Sequence, residues 1–343
     1  MNLKQFAELL GLSQTTVSRA LRGYPEVNEA TRKRIEEAAV EHGYHPNRSA
    51  TGLATGRAGA VGLVLRSEEY NPLTSELLGG LGVQLENEGM DVVLCTVRTR
   101  EAELAVYRRL AASKRIDAVV LHSPTREDDR VSLLHQLKIP FVCHGRSSST
   151  ESCAYVDIDN VSVTQRAVDH LLDLGHRRIG LINGVEDRTY AMHRDRGYRD
   201  ALAARDIAAD RKLVAYGEFT DENGYDIARV FLGLKDPPTA IVAGSMMSTL
   251  GAMRAIRAAN LTIGQDVSIV AHDDVFFYLN ADKMTPAISA TRSSIRAAGA
   301  RVAEFIVQLL NGKDESELQE VWPVEFVLRE STRPCRPSTP QKK

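Results

Sequence analysis

Leu3, Phe6, Ala7 and Leu10 fall at i, i+3, i+4 and i+7, one face of a short helix. Gly11 follows where a chain turning sharply between helices needs a left-handed residue. Ser13 is suited to cap a second helix, SQTTVSRAL, which faces Val17, Ala20 and Leu21 inward. Gly23-Tyr24-Pro25 breaks it. Asn28 then caps a third helix, with Ile35, Ala38 and Ala39 on its buried side, ending near Gly43. Three short helices with a tight turn between the first two make a helix-turn-helix. From Ala60 the pattern changes. Strand-like apolar runs at 60–65, 91–97, 116–122, 140–145 and 155–159 alternate with helical segments such as 74–88 and 101–113. The alternation restarts with runs at 177–184, 213–219, 239–245 and 267–272, and 288–294 and 323–331 are strands left over at the end. Two series of parallel strands with crossover helices predict two doubly wound α/β lobes behind an all-α headpiece.

A length of 343 residues suits a small module plus a larger body, and 43% hydrophobic with 26% charged residues is a globular composition. No apolar run approaches the roughly 18–20 residues that span a bilayer. The start, MNLKQFAELLGLS, is not a basic segment followed by an apolar stretch, so a cytoplasmic location without membrane contact is expected. Cys95, Cys143, Cys153 and Cys335 show no CxxC pairing, and reduced buried thiols are expected for those beside strands. The net charge of −2 hides a weak asymmetry: residues 1–60 hold eight Lys and Arg against six Glu. That excess does not establish nucleic-acid binding by itself.

Chemistry in the headpiece is more informative. In a helix-turn-helix the second helix enters the major groove with its N-terminal side chains at base edges. Gln14 can pair with adenine, Arg19 with guanine, and Thr15 with a base or a thymine methyl. Ser13, Thr16, Ser18, Asn28 and Thr31 are short polar residues near helix starts, suited to phosphate oxygens. The bland alternative is a helical bundle for protein contacts.

The run from Leu3 to Asn47 closely resembles the headpiece of the lactose/galactose repressor family. Its marks are T-V-S-R at Thr16 to Arg19, V-N-x-x-T-R at Val27 to Arg32 and G-Y-x-P-N at Gly43 to Asn47. Matches continue at V-D-I-D-N (156–160), H-L-L-D-L-G-H-R-R-I-G (170–180), R-x-x-G-Y-x-x-A-L (Arg194 to Leu202) and V-S-I-V-A-H-D-D (267–274), covering the chain to about Glu330. The resemblance implies a transcriptional regulator, a repressor whose affinity for operator DNA is set by a small molecule. It implies Gln14, Thr15 and Arg19 as base readers. It also implies a hinge over 46–59 whose leucine, here Leu53, wedges into the minor groove. Thr51 and Gly52 stand where the family often has Arg and a small residue, so one minor-groove cation is expected to be missing.

For the body the resemblance implies a periplasmic-binding-protein-like fold in which the chain crosses between lobes three times, near Asn160, Ala290 and Trp322. The expected organisation is a headpiece over 1–45, the hinge, and an effector domain over 60–337. Its first lobe takes about 60–160 and 291–322, its second about 161–290 and 323–337. Ligands of such folds bind beyond the carboxyl ends of the strands, in the cleft between lobes. By family position Arg194 forks onto ligand hydroxyls or a carbonyl, Asp273 accepts from hydroxyls or ring nitrogens, and Phe219 stacks on the ligand. Asp159 and His122 lie at strand ends and join the candidates, with a structural ion pair (Arg194 with Asp273) and a core Phe219 as alternatives. Ser245-Met246 stands where the family commonly shows Asn-Asp, His272 replaces an aromatic, and Gly145 replaces an acid before Arg146. Ser245 is kept as an effector contact, and the shorter side chains predict room for an oligosaccharide such as an α-linked disaccharide. A purine effector is the alternative.

Other function classes fit poorly. No G-x-S-x-G, P-loop, GxGxxG or paired Cys/His spacing appears. His272, Asp273 and Asp274 are consecutive, so a strand points them to opposite faces and they make no acid/base site. An enzyme, a metal and a cofactor are therefore not expected. A sugar-transport protein would share the body but not residues 1–59. A homodimer on a near-palindromic operator is expected, because one headpiece offers few contacts and two-fold symmetry doubles them. The tail STRPCRPSTPQKK has no apolar heptads with which to build a larger assembly.

Overall fold

A computed structural model describes residues 1–21, 23–44, 57–147 and 152–335. Leu53 and most of the expected hinge lie outside the described residues.

The N-terminal module comprises α1 (Leu3–Leu10), α2 (Gln14–Leu21) and α3 (Glu29–Glu41). Asn2 opens α1 with a reciprocal cap to Gln5, and Gly11 ends it at φ +67°, a left-handed turn that costs glycine nothing. Ser13 Oγ accepts from the Thr16 N–H at 3.0 Å and starts α2. Asn28 Oδ1 accepts from the Thr31 N–H at 2.8 Å and starts α3. Phe6, Ala7, Val17, Ala20, Val27, Ile35, Ala39 and Tyr44 form the module's core, with Phe6 and Tyr44 stacked at 4.2 Å.

Beyond it the chain builds two six-stranded sheets. The first contains β1 (Ala60–Arg66), β2 (Asp91–Val97), β3 (Ala118–His122), β4 (Phe141–His144), β5 (Ala154–Ile158) and β11 (Gln319–Trp322), in the order β11-β5-β4-β3-β1-β2. The second contains β6 (Ile179–Asn183), β7 (Val214–Tyr216), β8 (Ala240–Ala243), β9 (Ser268–Asp273), β10 (Ser289–Arg292) and β12 (Glu325–Val327), in the order β12-β10-β9-β8-β6-β7. Pairing is parallel in both sheets except between β10 and β12. Helices cover both faces, which is why central strands such as β1 read as unbroken apolar runs. On the first sheet α4 (Pro72–Asn87) and α11 (Ile295–Leu310) pack on one face, and α5 (Arg100–Ser113) and α6 (Asp129–Gln136) on the other. On the second, α9 (Asp221–Leu232) and α10 (Met246–Ala258) oppose α7 (Asn160–Asp173) and α8 (Thr189–Ala203).

Two expectations need correction. The strand expected over 323–331 is only three residues long, β12, and an unexpected strand, β11, ends just before it at Trp322, after which the chain passes to the other sheet. Pro323 has no N–H to donate, so the ladder stops there. The middle passage between sheets also falls later than Ala290, because β10 keeps its ladder with β9 through Arg292.

Candidate effector cleft and DNA-facing helix

The carboxyl ends of the two sheets face each other across a cleft with about 1040 Å³ of empty space opening to solvent. The first sheet contributes His122 at the end of β3, His144 at the end of β4, and Asp157 in β5. The second contributes Arg194 and Tyr190 from α8, Phe219 after β7, and His272 and Asp274 at the end of β9.

Arg194 anchors the site. Its Nε donates to Asn160 Oδ1 at 2.8 Å and its Nη1 to the Gly244 carbonyl at 2.6 Å. Its guanidinium carbon sits 5.4 Å from the Tyr190 ring centre and 5.7 Å from that of Phe219. Among the described residues Nη2 takes no protein acceptor, which leaves one donor edge for a ligand. Burial depresses the guanidinium pKa, against the attraction of Asp274, so a buried cation waits for an acceptor. Asn160 in turn donates to Asp157 Oδ1 at 3.0 Å, and Arg146 donates to Asp157 Oδ2 at 2.7 Å. This chain of polar groups ties the Arg194 side chain to the first sheet.

Asp274 is buried on the same wall, and burial pushes its carboxyl up to about 7 despite the nearby Arg194 charge. His272 hydrogen-bonds Thr291 Oγ1 through Nδ1 at 3.1 Å and Ser293 Oγ through Nε2 at 3.0 Å. Burial holds it neutral, so its 3.9 Å approach to Asp274 is not an ion pair. At the cleft mouth, Arg188 of the second half donates to the Ser123 carbonyl and to Glu69 Oε1, both at 2.6 Å. The Thr189 N–H also donates to the Pro124 carbonyl at 3.1 Å.

Arg194, Phe219 and His122 all line the cleft; three other candidates do not. Asp273 turns away: it approaches Arg292 at 3.7 Å and accepts from the Val275 N–H at 2.9 Å. Neighbours at a strand end point oppositely, so its successor Asp274 takes the cleft position. Asp159 caps α7, accepting from the Ser162 N–H and hydroxyl. Ser245 is fully buried as the cap of α10, accepting from the Ser248 N–H; the backbone of Gly244 before it meets Arg194. Sequence reasoning missed His144, Asp157, Asn160, Tyr190 and Arg188. His144 was findable by the strand-end rule that selects His122, and Asp157 and Asn160 lie in V-D-I-D-N. Nothing local marks Arg188.

In the N-terminal module Gln14, Thr15 and Arg19 are exposed on one side of α2, and with Ser18 they line a shallow surface beside Leu3 and Tyr24. Thr16 and Ser18 are half-buried, and Thr16 Oγ1 bonds Ser13 Oγ at 2.8 Å. Ser13 and Asn28 therefore spend one acceptor on capping. Among the described residues no cluster of three His, Cys, Asp or Glu is placed to hold a metal, and no helix is long and apolar enough to cross a membrane.

A family model described as bacterial regulatory proteins, lacI family, matches residues 2–47, and one for a periplasmic binding protein-like domain matches 168–332. The HTH-type transcriptional regulator AglR of Rhizobium meliloti (strain 1021) is 45% identical over 345 residues, covering 99% of this chain and 96% of that protein. A solved transcriptional regulator CelR–cellobiose complex is 31% identical with a TM-score of 0.72, covering 96% of this chain and 99% of that one. The lac repressor dimer bound to operator and the anti-inducer ONPF shares the fold, with a TM-score of 0.83 at 24% identity over 97% and 99% of the two chains.

Proposed function

The chain belongs to the lacI family of bacterial regulatory proteins, a transcriptional regulator and not an enzyme, and we propose that a neutral carbohydrate in its cleft controls its grip on operator DNA. One observation carries the choice of ligand. Arg194 presents a single free donor edge between the aromatic rings of Tyr190 and Phe219, while the imidazoles around it are held neutral. Aromatic faces with a few fixed hydrogen-bonding groups suit a ring carrying hydroxyls. The CelR complex, with cellobiose, is consistent with that class.

On the DNA side, Gln14, Thr15 and Arg19 are assigned to base edges, and Thr16, Ser18 and Thr31 to phosphates, with Ser13 and Asn28 helping from helix starts. Leu53 is assigned to the minor groove. Two copies of the chain grip two half-sites of a near-palindromic operator, and the ligand acts through its differential affinity for two lobe arrangements. The test is a thermal-shift screen of neutral mono- and disaccharides against purines. Stabilisation by a disaccharide supports the reading, at about 2.7 kcal/mol for ligand at 100 times Kd. Stabilisation by purines alone overturns it.

A further inference from the structure

His122 and His144 are register partners at the ends of the adjacent strands β3 and β4. Their rings stack with centres 5.2 Å apart and planes 9° from parallel, and their Nδ1 atoms lie 3.1 Å apart. That contact needs one proton between the two nitrogens: two N–H groups would collide and two lone pairs would repel. Burial holds both rings neutral. It depresses His122 well below the ordinary imidazole range, helped by His144 and Arg130. It takes His144 down to about 4 against the pull of Asp157. A neutral imidazole has one N–H, so the ring that donates through Nδ1 has a bare Nε2 and its partner has an Nε2–H. Among the described residues neither Nε2 has a protein partner, and neither is sealed away from solvent. Both rings line the cleft opposite Arg194.

We propose that His122 and His144 work as one shared-proton unit that binds two neighbouring hydroxyl groups of a neutral effector. The proposal rests on the carbohydrate reading above and names how that ligand is selected. The unit offers one donor and one acceptor, and the two roles exchange when the shared proton crosses between the Nδ1 atoms while the outer proton returns from one Nε2 to the other through the two bound hydroxyls, so that both rings stay neutral. A hydroxyl both donates and accepts, so a pair of hydroxyls satisfies the unit in either tautomer. An ionised phosphate or carboxylate oxygen only accepts, and at one of the two positions it meets a lone pair. The unit therefore favours neutral sugars over phosphorylated or uronic ones. A site built to hydrogen-bond a hydroxyl rejects analogues that leave its polar atoms unpaired.

The test has two arms. In the first, nitrogen-15 NMR of the full-length ligand-free protein at pH 7 should show one of these rings as the Nδ1–H tautomer and the other as Nε2–H. Both rings in the same tautomer, or an imidazolium, overturns the proposal whether or not any variant folds. In the second, wild type, His122→Phe, His144→Phe and the double variant are titrated calorimetrically with cellobiose, maltose, sucrose and trehalose, and with glucose 6-phosphate. Each single substitution should weaken the bound disaccharide about tenfold or more. The double variant should lose much less than the product of the two, because either change breaks the unit. Ligand-free operator binding should persist in all four. Wild-type affinity for a disaccharide with unchanged affinity in the variants overturns the shared unit and leaves the carbohydrate reading standing. Wild type that binds none of the neutral sugars overturns the carbohydrate reading, and the hydroxyl assignment falls with it.

Discussion

Replacing Arg188 with alanine should loosen the two lobes without disturbing either core. Arg188 is buried at 4% exposure and clasps the opposite half through two charge-assisted hydrogen bonds, to the Ser123 carbonyl and to Glu69. Bonds of this kind contribute about 1.5–3 kcal/mol each. Glu69 is shared with Arg66, whose Nη2 lies 3.2 Å from the same oxygen, so the lower figure is apt for both arms. Their sum, roughly 3 kcal/mol, shifts the lobe equilibrium by about 150-fold. Where the ligand-competent arrangement is the clasped one, apparent effector affinity falls by up to that factor, through the population of competent protein. Small-angle scattering of the ligand-free variant should show a larger radius of gyration, and calorimetry should show the weaker affinity with an unchanged preference among sugars. Glu69→Ala should do the same, and the double variant should show a coupling of about 1–3 kcal/mol. Independent, additive losses with an unchanged scattering profile would refute the clasp.

Asp274 gives a pH prediction. Its folded pKa, about 7, is raised above the ordinary carboxyl value by burial, so its contribution to stability is present below about pH 4 and is lost as pH rises towards 7. Asp274→Asn should therefore gain stability relative to wild type as pH is raised from 5 to 8, by melting temperature; a pH-independent difference contradicts it. Gly80→Ala should destabilise by about 1–3 kcal/mol or more, since a Cβ there meets the Arg296 carbonyl at 1.9 Å where α4 crosses α11. Gly82→Ala on the same helix, with nothing within 4 Å, should be neutral or stabilise by about 0.4–1 kcal/mol, and denaturant melts of the pair check both. Arg19→Ala should relax preference at one base pair per half-site by about 1–3 kcal/mol, read by competition with point-substituted operators.

The alternation of apolar runs and helical stretches was enough to anticipate β1 and β2 almost to the residue: β1, buried on both faces, leaves a continuous apolar signature, and β2, an edge strand with half-exposed positions, is marked by its β-branched run. The end of the chain was harder. Residues 319–327 are short edge strands with exposed positions, so the passage near Trp322 came from the family resemblance and not from their composition, which left β11 unmarked. The cleft was legible where a family position and a strand end coincided, as at Arg194. It was misread by one residue at Asp273, where only the pleat decides which of two carboxylates faces inward. Arg188 was illegible because its partners, Glu69 and Ser123, are remote in sequence and meet it only when the two halves come together. Ser245 and Asp159 were polar residues at helix starts, and capping took them first.

The central claim is that the cleft governs DNA binding through Arg194. An operator recovered by selection from random duplex DNA is titrated by fluorescence anisotropy with wild type and Arg194→Ala, each with and without a neutral disaccharide that stabilises the wild type. The account predicts a ligand-dependent change in wild-type operator affinity of about 5–150-fold, none in the variant, and near-equal ligand-free affinities for the two proteins. An undiminished ligand response in Arg194→Ala would contradict it.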